Sequence, residues 1–429
     1  MEQERERSWT LRPRVSRKVP LIFWGLLGLG TVIFLVGLRM DPLRSWQAYL
    51  INFLFWGGIA QGGVVFGAMY HVVGGKWGPP VRRCAEGMVA FLPVNFVLFF
   101  PLYYALNMFY GSVREINPVR GAWFDPRFIF VRGGLGLGLM TVLSLFFVYY
   151  SLRPEVGWLQ EQKLRPRHWL YEWITDGWQG QELEAQHCQR GLDVLSAGVL
   201  VVYPITYTFM AFDLIMSLDP FWYSSLFGGY FFISTFYLGL AGLALVCVLI
   251  RWQLGPSVVT STQLSDLGRL LLGFNLTYFA MVWSQYIVIW YGNLPEETQF
   301  IILRLWEMPW AVFSWSVFIL SVFVPFLIFL SQKAKREPKI VFAVSISVGL
   351  GLWLERYVLI VPSVWHSDVI PLGWIEIGVA AGFLGATGLS YLFFLENFPV
   401  LPFVSPIPSS AAFEKQHAEE SPAEVRLAR

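Results

Sequence analysis

The chain has 429 residues, 55% of them hydrophobic and 14% charged, against roughly 25% charged in soluble domains, so water is excluded as its main solvent. A net charge of +2 and the lack of a Lys/Arg-rich block on a soluble segment exclude nucleic acid as a partner. The three cysteines (Cys84, Cys188, Cys247) are far apart with no CxxC spacing, and only His71 of the five histidines lies in an apolar run; no metal, haem or iron-sulfur ligand set is expected in this chain.

In chain order, residues 1–19 form a basic N-terminus (Arg5, Arg7, Arg12, Arg14, Arg17, Lys18) with no small-residue cleavage pattern after Leu38, which reads as an uncleaved signal anchor. Residues 20–396 then hold ten windows long and apolar enough to span a bilayer: 20–38, 48–73, 84–106, 128–152, 192–218, 222–250, 264–291, 303–330, 340–361 and 371–395. The expected fold class is an all-α integral membrane protein of about ten transmembrane helices, as two four-helix bundles plus two additional helices. The segment 153–190 is too long for a simple connection and places Trp169 and Trp173 one helical turn apart, so a cytoplasmic interfacial helix is expected there. Residues 397–429 turn Pro-rich (Pro399, Pro402, Pro406, Pro408) and then polar, as in an extended, then disordered, tail.

Most of the 31 Lys and Arg residues fall on the side of the N-terminus, which by the positive-inside rule puts both ends in the cytoplasm. A faint repeat is visible: spans two and three meet through Trp77-Gly78-Pro79, and spans six and seven through Leu254-Gly255-Pro256. Four spans separate the pairs, as two parallel bundles require. The Gly-rich runs at 132–138 and 57–63 lie inside apolar spans and read as close helix packing rather than phosphate loops.

Charges inside spans cost roughly 2.5–3.5 kcal/mol each on insertion scales and usually face a bundle interior or a water path. By position along each span, Arg132, Asp213, Arg304, Glu307, Glu355, Arg356 and Glu376 fall in the outer half, with Asp219 at its edge. The inner half holds fewer: His71, Glu86, Asp193, Asp266 and Arg269. Three readings of the outer set stay open: structural ion pairing, a proton-exchanging site, or snorkelling at helix ends. The carboxylates Asp213, Asp219, Glu307, Glu355 and Glu376 are the proton-path candidates, with Arg132, Arg304 and Arg356 as charge partners. Glu307 lies one turn after Arg304, so a pair along one helix face is expected. Glu355 and Arg356 are adjacent, so each is expected to find its partner on another helix. Glu86 with His71 on the neighbouring span is an alternative inner start of a proton path.

At Phe212-Asp213-Leu214-Ile215-Met216-Ser217-Leu218-Asp219-Pro220, followed by Trp222, the chain resembles the ActF-type membrane subunit of bacterial alternative complex III, a relative of the NrfD-like subunits. Gly58-Ile59-Ala60-Gln61-Gly62-Gly63 and the stretch from Trp283-Ser284-Gln285-Tyr286 to Asn293-Leu294-Pro295-Glu296-Glu297-Thr298 carry the same likeness, which covers nearly all of the chain except its polar ends. The resemblance implies a subunit of a quinol oxidoreductase that passes electrons to cytochrome c or a blue copper protein in a bacterial inner membrane. It also implies haem c and iron-sulfur clusters in partner subunits on the outer side, and a sister NrfD-like subunit better placed for the quinol pocket. Quinone or quinol is then the one small ligand to consider for this chain, and proton translocation its expected contribution. In that family a His often follows the Asp-Pro; here Phe221 takes its place, which removes an imidazole proton acceptor. A secondary transporter and a purely structural membrane anchor are the alternative functions.

Overall fold

The computed structural model describes residues 16–75, 77–116, 123–161, 169–365 and 370–399. The basic residues Arg5, Arg7, Arg12 and Arg14 and the tail prolines Pro402, Pro406 and Pro408 lie outside them. Among the described residues the regular structure is helical, without strands, and the chain is an all-α, multi-pass membrane protein. Nine of these helices are long and apolar enough to cross a bilayer, and a tenth crossing is a bent pair, Pro79–Phe99 and Leu102–Tyr110, meeting at 54°.

Helix α1 (Lys18–Met40) turns into α2 (Pro42–Val72) at Asp41, whose carboxylate accepts the Arg44 N–H at 3.2 Å while Pro42 takes the first turn; cap and proline both suit a helix start. The bent crossing is α3 (Pro79–Gly87), a 3-10 turn (Met88–Phe91), α4 (Leu92–Phe99) and α5 (Leu102–Ile116). Pro101 lies at the bend, where its missing N–H breaks the ladder. Next come α6 (Pro126–Glu161), the short α7 (Trp169–Ile174), α8 (Gln181–Leu214), α9 (Phe227–Leu254) and α10 (Ser261–Gly292). The remainder is α11 (Pro295–Leu305), α12 (Trp310–Phe318), a π turn (Ile319–Phe323), α13 (Val324–Leu330), α14 (Gln332–Arg336), α15 (Pro338–Val364) and α16 (Trp374–Asn397).

Two expected boundaries are corrected. The segment 153–190 is mostly helix, because α6 continues to Glu161 and α8 already begins at Gln181. Ion pairs carry the helices past their apolar windows: Arg153 Nε meets Glu184 Oε2 at 2.8 Å, and Arg83 Nη2 meets Glu155 Oε1 at 2.5 Å. The short α7 between them does expose Trp169 and Trp173, as an interfacial segment would. The window 303–330 is not one helix either, since α11 ends at Leu305 and α12 begins at Trp310 after Pro309.

Helix α2 is the buried centre and packs on α8, α9 and α16. Its Gly62 faces Gly239 of α9 so closely that a Cβ on Gly62 would lie 2.7 Å from the Gly239 Cα; only glycine permits that approach. Gly62 and Gly239 each precede the glycine of their following Gly-Pro turn, Gly78 and Gly255, by the same 16 residues. The first turn of α10, which follows Gly255-Pro256, reaches the other turn: Gln263 Nε2 donates to the Trp77 carbonyl at 3.2 Å. The bundle α2–α8 and the bundle α9–α15 are thus packed about equivalent positions of their first helices. Helices α1 and α16 form the additional pair, in contact through Gly30 and Gly382. The ends of α2 name the two faces of the molecule: the Asp41 face and the Gly78 face.

Candidate functional site

Five polar centres lie towards the Asp41 face. In the first bundle Asp213 is buried on α8, and Arg132 of α6 grips its carboxylate with two N–H groups, Nε to Oδ2 at 2.6 Å. The guanidinium also donates to the Trp123 carbonyl at 3.1 Å and lies 4.0 Å from the Trp123 ring centroid. Tyr110 donates to the backbone carbonyl of Asp213. Both carboxylate oxygens are engaged by one cation, so this centre is a closed pair.

The second bundle places Glu355 of α15 at the equivalent span. Its Oε1 accepts from Tyr278 of α10 at 2.8 Å and from Tyr230 of α9; its Oε2 accepts from Ser234 at 2.7 Å and contacts Arg356 Nη1. Arg356 is wholly buried, with Nη1 also donating to Ser234 at 3.0 Å, Nη2 to Thr235 at 3.1 Å, and the guanidinium 4.3 Å from the Phe231 ring centroid. Adjacent Glu355 and Arg356 do find partners on other helices, α9 and α10, but the expectation that they point apart is corrected: they also pair with each other, meeting around Ser234. Two long side chains leaving one helix at different angles still converge when a single hydroxyl on the facing helix serves as donor to one and acceptor to the other.

Arg304 and Glu307 do not pair. Helix α11 ends between them, and Glu307 is exposed, in none of the ion pairs among the described residues. Arg304 is buried instead against α15, where Pro362 interrupts the helix and has no N–H for the Val358 carbonyl. Arg304 Nε donates to that carbonyl at 3.0 Å and Nη2 to Leu359 O at 3.3 Å and Ser363 Oγ at 2.7 Å. Its role there is to satisfy backbone acceptors inside the membrane. Asp219 caps a turn, accepting the N–H groups of Phe221 and Trp222 at 3.1 and 3.2 Å. Glu376 caps α16 through the Gly373 N–H at 2.7 Å and pairs with Arg44 at 2.6 and 2.8 Å. Arg44 was not among the expected charge partners; its place three residues after the Asp41 turn, level with Glu376, is the signal that identifies it.

The Gly78 face is richer in buried charge than expected. His71 is bound to Asp193 at 2.8 Å rather than to Glu86. Glu86 is held by Arg82 at 2.8 Å, Arg83 at 2.9 Å and Ser151 at 2.6 Å, and Arg83 continues to Glu155. Arg153 and Glu184 add a further pair. The outward bias of buried charge is thus overturned: three of these residues, Arg153, Glu155 and Glu184, lie in the stretch 153–190, expected to lie outside the spanning helices.

Beside Glu355 lies a cavity of about 610 Å³ between α10, α11, α12 and α15. Its walls are aromatic: Trp222 stacks on Phe300 with centroids 3.8 Å apart and planes 7° from parallel, and Tyr278, Phe279 and Phe318 complete the interior. Trp283, Trp290, Trp306 and Trp315 stand exposed around its mouth. Val322 of the π turn lines the cavity as well, and beyond it Pro325 cannot bond the Ser321 carbonyl, which instead accepts from Tyr237 at 3.0 Å and Asn275 at 2.8 Å. No family model matches this chain, and no curated protein does.

Proposed function

We propose that the chain is a membrane subunit of a quinol:electron-acceptor oxidoreductase of the alternative complex III type, supporting quinol oxidation and proton translocation while partner subunits carry the electrons. The observation that carries this reading is the Glu355 centre: a carboxylate inside the membrane, bonded by Tyr230, Tyr278 and Ser234, with a buried cation behind it. Oxidising a quinol releases protons together with electrons, and a carboxylate with hydroxyl neighbours is suited to accept and hand on a proton. The resemblance at Asp213 to Pro220 and at Asn293 to Thr298 supports the same assignment. The Lys/Arg asymmetry supports cytoplasmic ends in a bacterial inner membrane, which would make the Asp41 face the outer one, towards haem c and iron-sulfur partners, with a sister NrfD-like subunit alongside.

The test is purification of the tagged chain from its native membrane under mild detergent. Co-isolation of subunits with haem or iron-sulfur absorbance, and quinol oxidation by the preparation, is the expected result. A chain that isolates alone, or with partners devoid of redox groups, overturns the assignment.

A further inference from the structure

The cavity of the second bundle is not required by anything above: a proton-handling carboxylate needs hydroxyl groups or water, not an aromatic chamber. Its volume, about 610 Å³, lies inside the 300–1,000 Å³ range typical of small-molecule sites. Two polar groups lining it are buried without a hydrogen-bond partner among the described residues, Trp222 Nε1 and Ser314 Oγ. Buried polar atoms are rarely left unpaired, and an indole N–H can only donate, so the Trp222 N–H calls for an acceptor. Opposite in chemistry is Glu355, whose carboxylate also lines the cavity and can only accept while ionised.

The walls narrow the class of ligand further. The parallel Trp222–Phe300 stack, with Tyr278 and Phe279, favours a planar ring over a flexible polar headgroup. Arg304 does not turn the chamber into an anion site, because four of its five N–H groups are spent on Val358, Leu359, Phe300 and Ser363. Trp283 on α10 and Trp315 on α12 lie within spanning helices and are exposed at the mouth, so the entrance opens at bilayer depth. A ligand entering there comes from the lipid and leaves an apolar tail in it.

We propose that this cavity binds the ring of an isoprenoid quinone or quinol, with a ring oxygen accepting from Trp222 Nε1 or Ser314 Oγ and the ring lying beside the Tyr230–Tyr278–Glu355 centre. The choice of ring chemistry rests on the quinol-oxidoreductase assignment; the cavity, its orphaned donors and its lateral mouth do not. The second bundle thereby acquires a ligand site of its own, distinct from the closed Asp213–Arg132 pair of the first.

The experiment is photolabelling of the full chain, in its assembled complex, with an azido derivative of a short-tailed isoprenoid quinone, followed by peptide mapping. Label is expected on peptides containing Trp222, Tyr278 to Ile289 or Phe300 to Trp306. Excess unlabelled quinone is expected to suppress it, excess farnesol is not, and Val282→Trp, which fills the chamber, is expected to lower it roughly tenfold. Ser314→Val, a milder change, provides the same comparison if Val282→Trp does not accumulate, with a smaller expected loss. Label elsewhere, label unaffected by either variant, or equal suppression by farnesol, which marks a chamber for lipid tails only, overturns the proposal. Because labelling reads binding alone, the absence of redox partners on purification would sink the proposed function while leaving the cavity result to stand or fall separately.

Discussion

The two bundles place a buried carboxylate in equivalent spans and treat it differently. In the first, Asp213 is matched oxygen for nitrogen by Arg132, with aromatic rings of Trp123 and Phe128 against the guanidinium. In the second, Glu355 divides its oxygens among two tyrosines, a serine and Arg356, and borders an open chamber. A pair whose lone pairs are filled by a single cation is a structural clamp. A carboxylate held by exchangeable hydroxyl groups beside a cavity is the one that the proposed function would use for proton transfer.

Removing the cation separates the bundles most strongly. Arg356→Met leaves Glu355 buried without a positive partner, and breaking a buried pair in this way costs about 3–5 kcal/mol; a large fall in thermal midpoint of the detergent-solubilised protein is expected. Arg132→Met should cost less, because the Arg132 side chain is 13% exposed and that of Arg356 not at all. Equal losses would erase the distinction.

Changing the carboxylates sharpens it. In the assembled complex Glu355→Gln is expected to lower quinol turnover by about 10²-fold, the lower end of general acid–base effects. Asp213→Asn is expected to leave turnover nearly intact while lowering stability by about 1–3 kcal/mol, the cost of a disrupted buried polar contact. Steady-state kinetics paired with melting curves would read both, and a turnover loss confined to Asp213→Asn would reverse the roles assigned to the two bundles. The smallest effect belongs to Glu307, exposed and outside either centre: Glu307→Gln should shift stability by less than about 0.5 kcal/mol and leave turnover unchanged.

The ten crossings were legible in the sequence because a bilayer demands about 20 apolar residues whatever the tertiary fold. That Asp213 and Arg132 lie in the same half of the membrane is legible by depth, whereas their pairing is set by the packing of α6 on α8. What could not be read were features set by packing between distant segments. Arg304 was assigned to Glu307 because nothing in a hydropathy window announces that α11 stops at Leu305, and its true partners are carbonyls exposed by Pro362 in another helix. Tyr230, Ser234 and Tyr278 look like ordinary residues of aromatic spans until α9, α10 and α15 meet around Glu355. Glu155 and Glu184 fall outside the apolar windows because charge lowers the hydropathy there, though ion pairing with Arg83 and Arg153 neutralises them. The cavity has no linear signature at all, being the space that several helices fail to fill.

The π turn at Ile319–Phe323 has a consequence for how the cavity wall is phased. A π turn amounts to one residue inserted into an α-helix, and one residue corresponds to a rotation of about 100° about the helix axis. Deleting one residue there would swing Ser314, Trp315 and Phe318 about 100° relative to Phe329, which is anchored in the core. The irregular turn thus works as a phase shifter, letting one half of a span be oriented for the chamber and the other for the core.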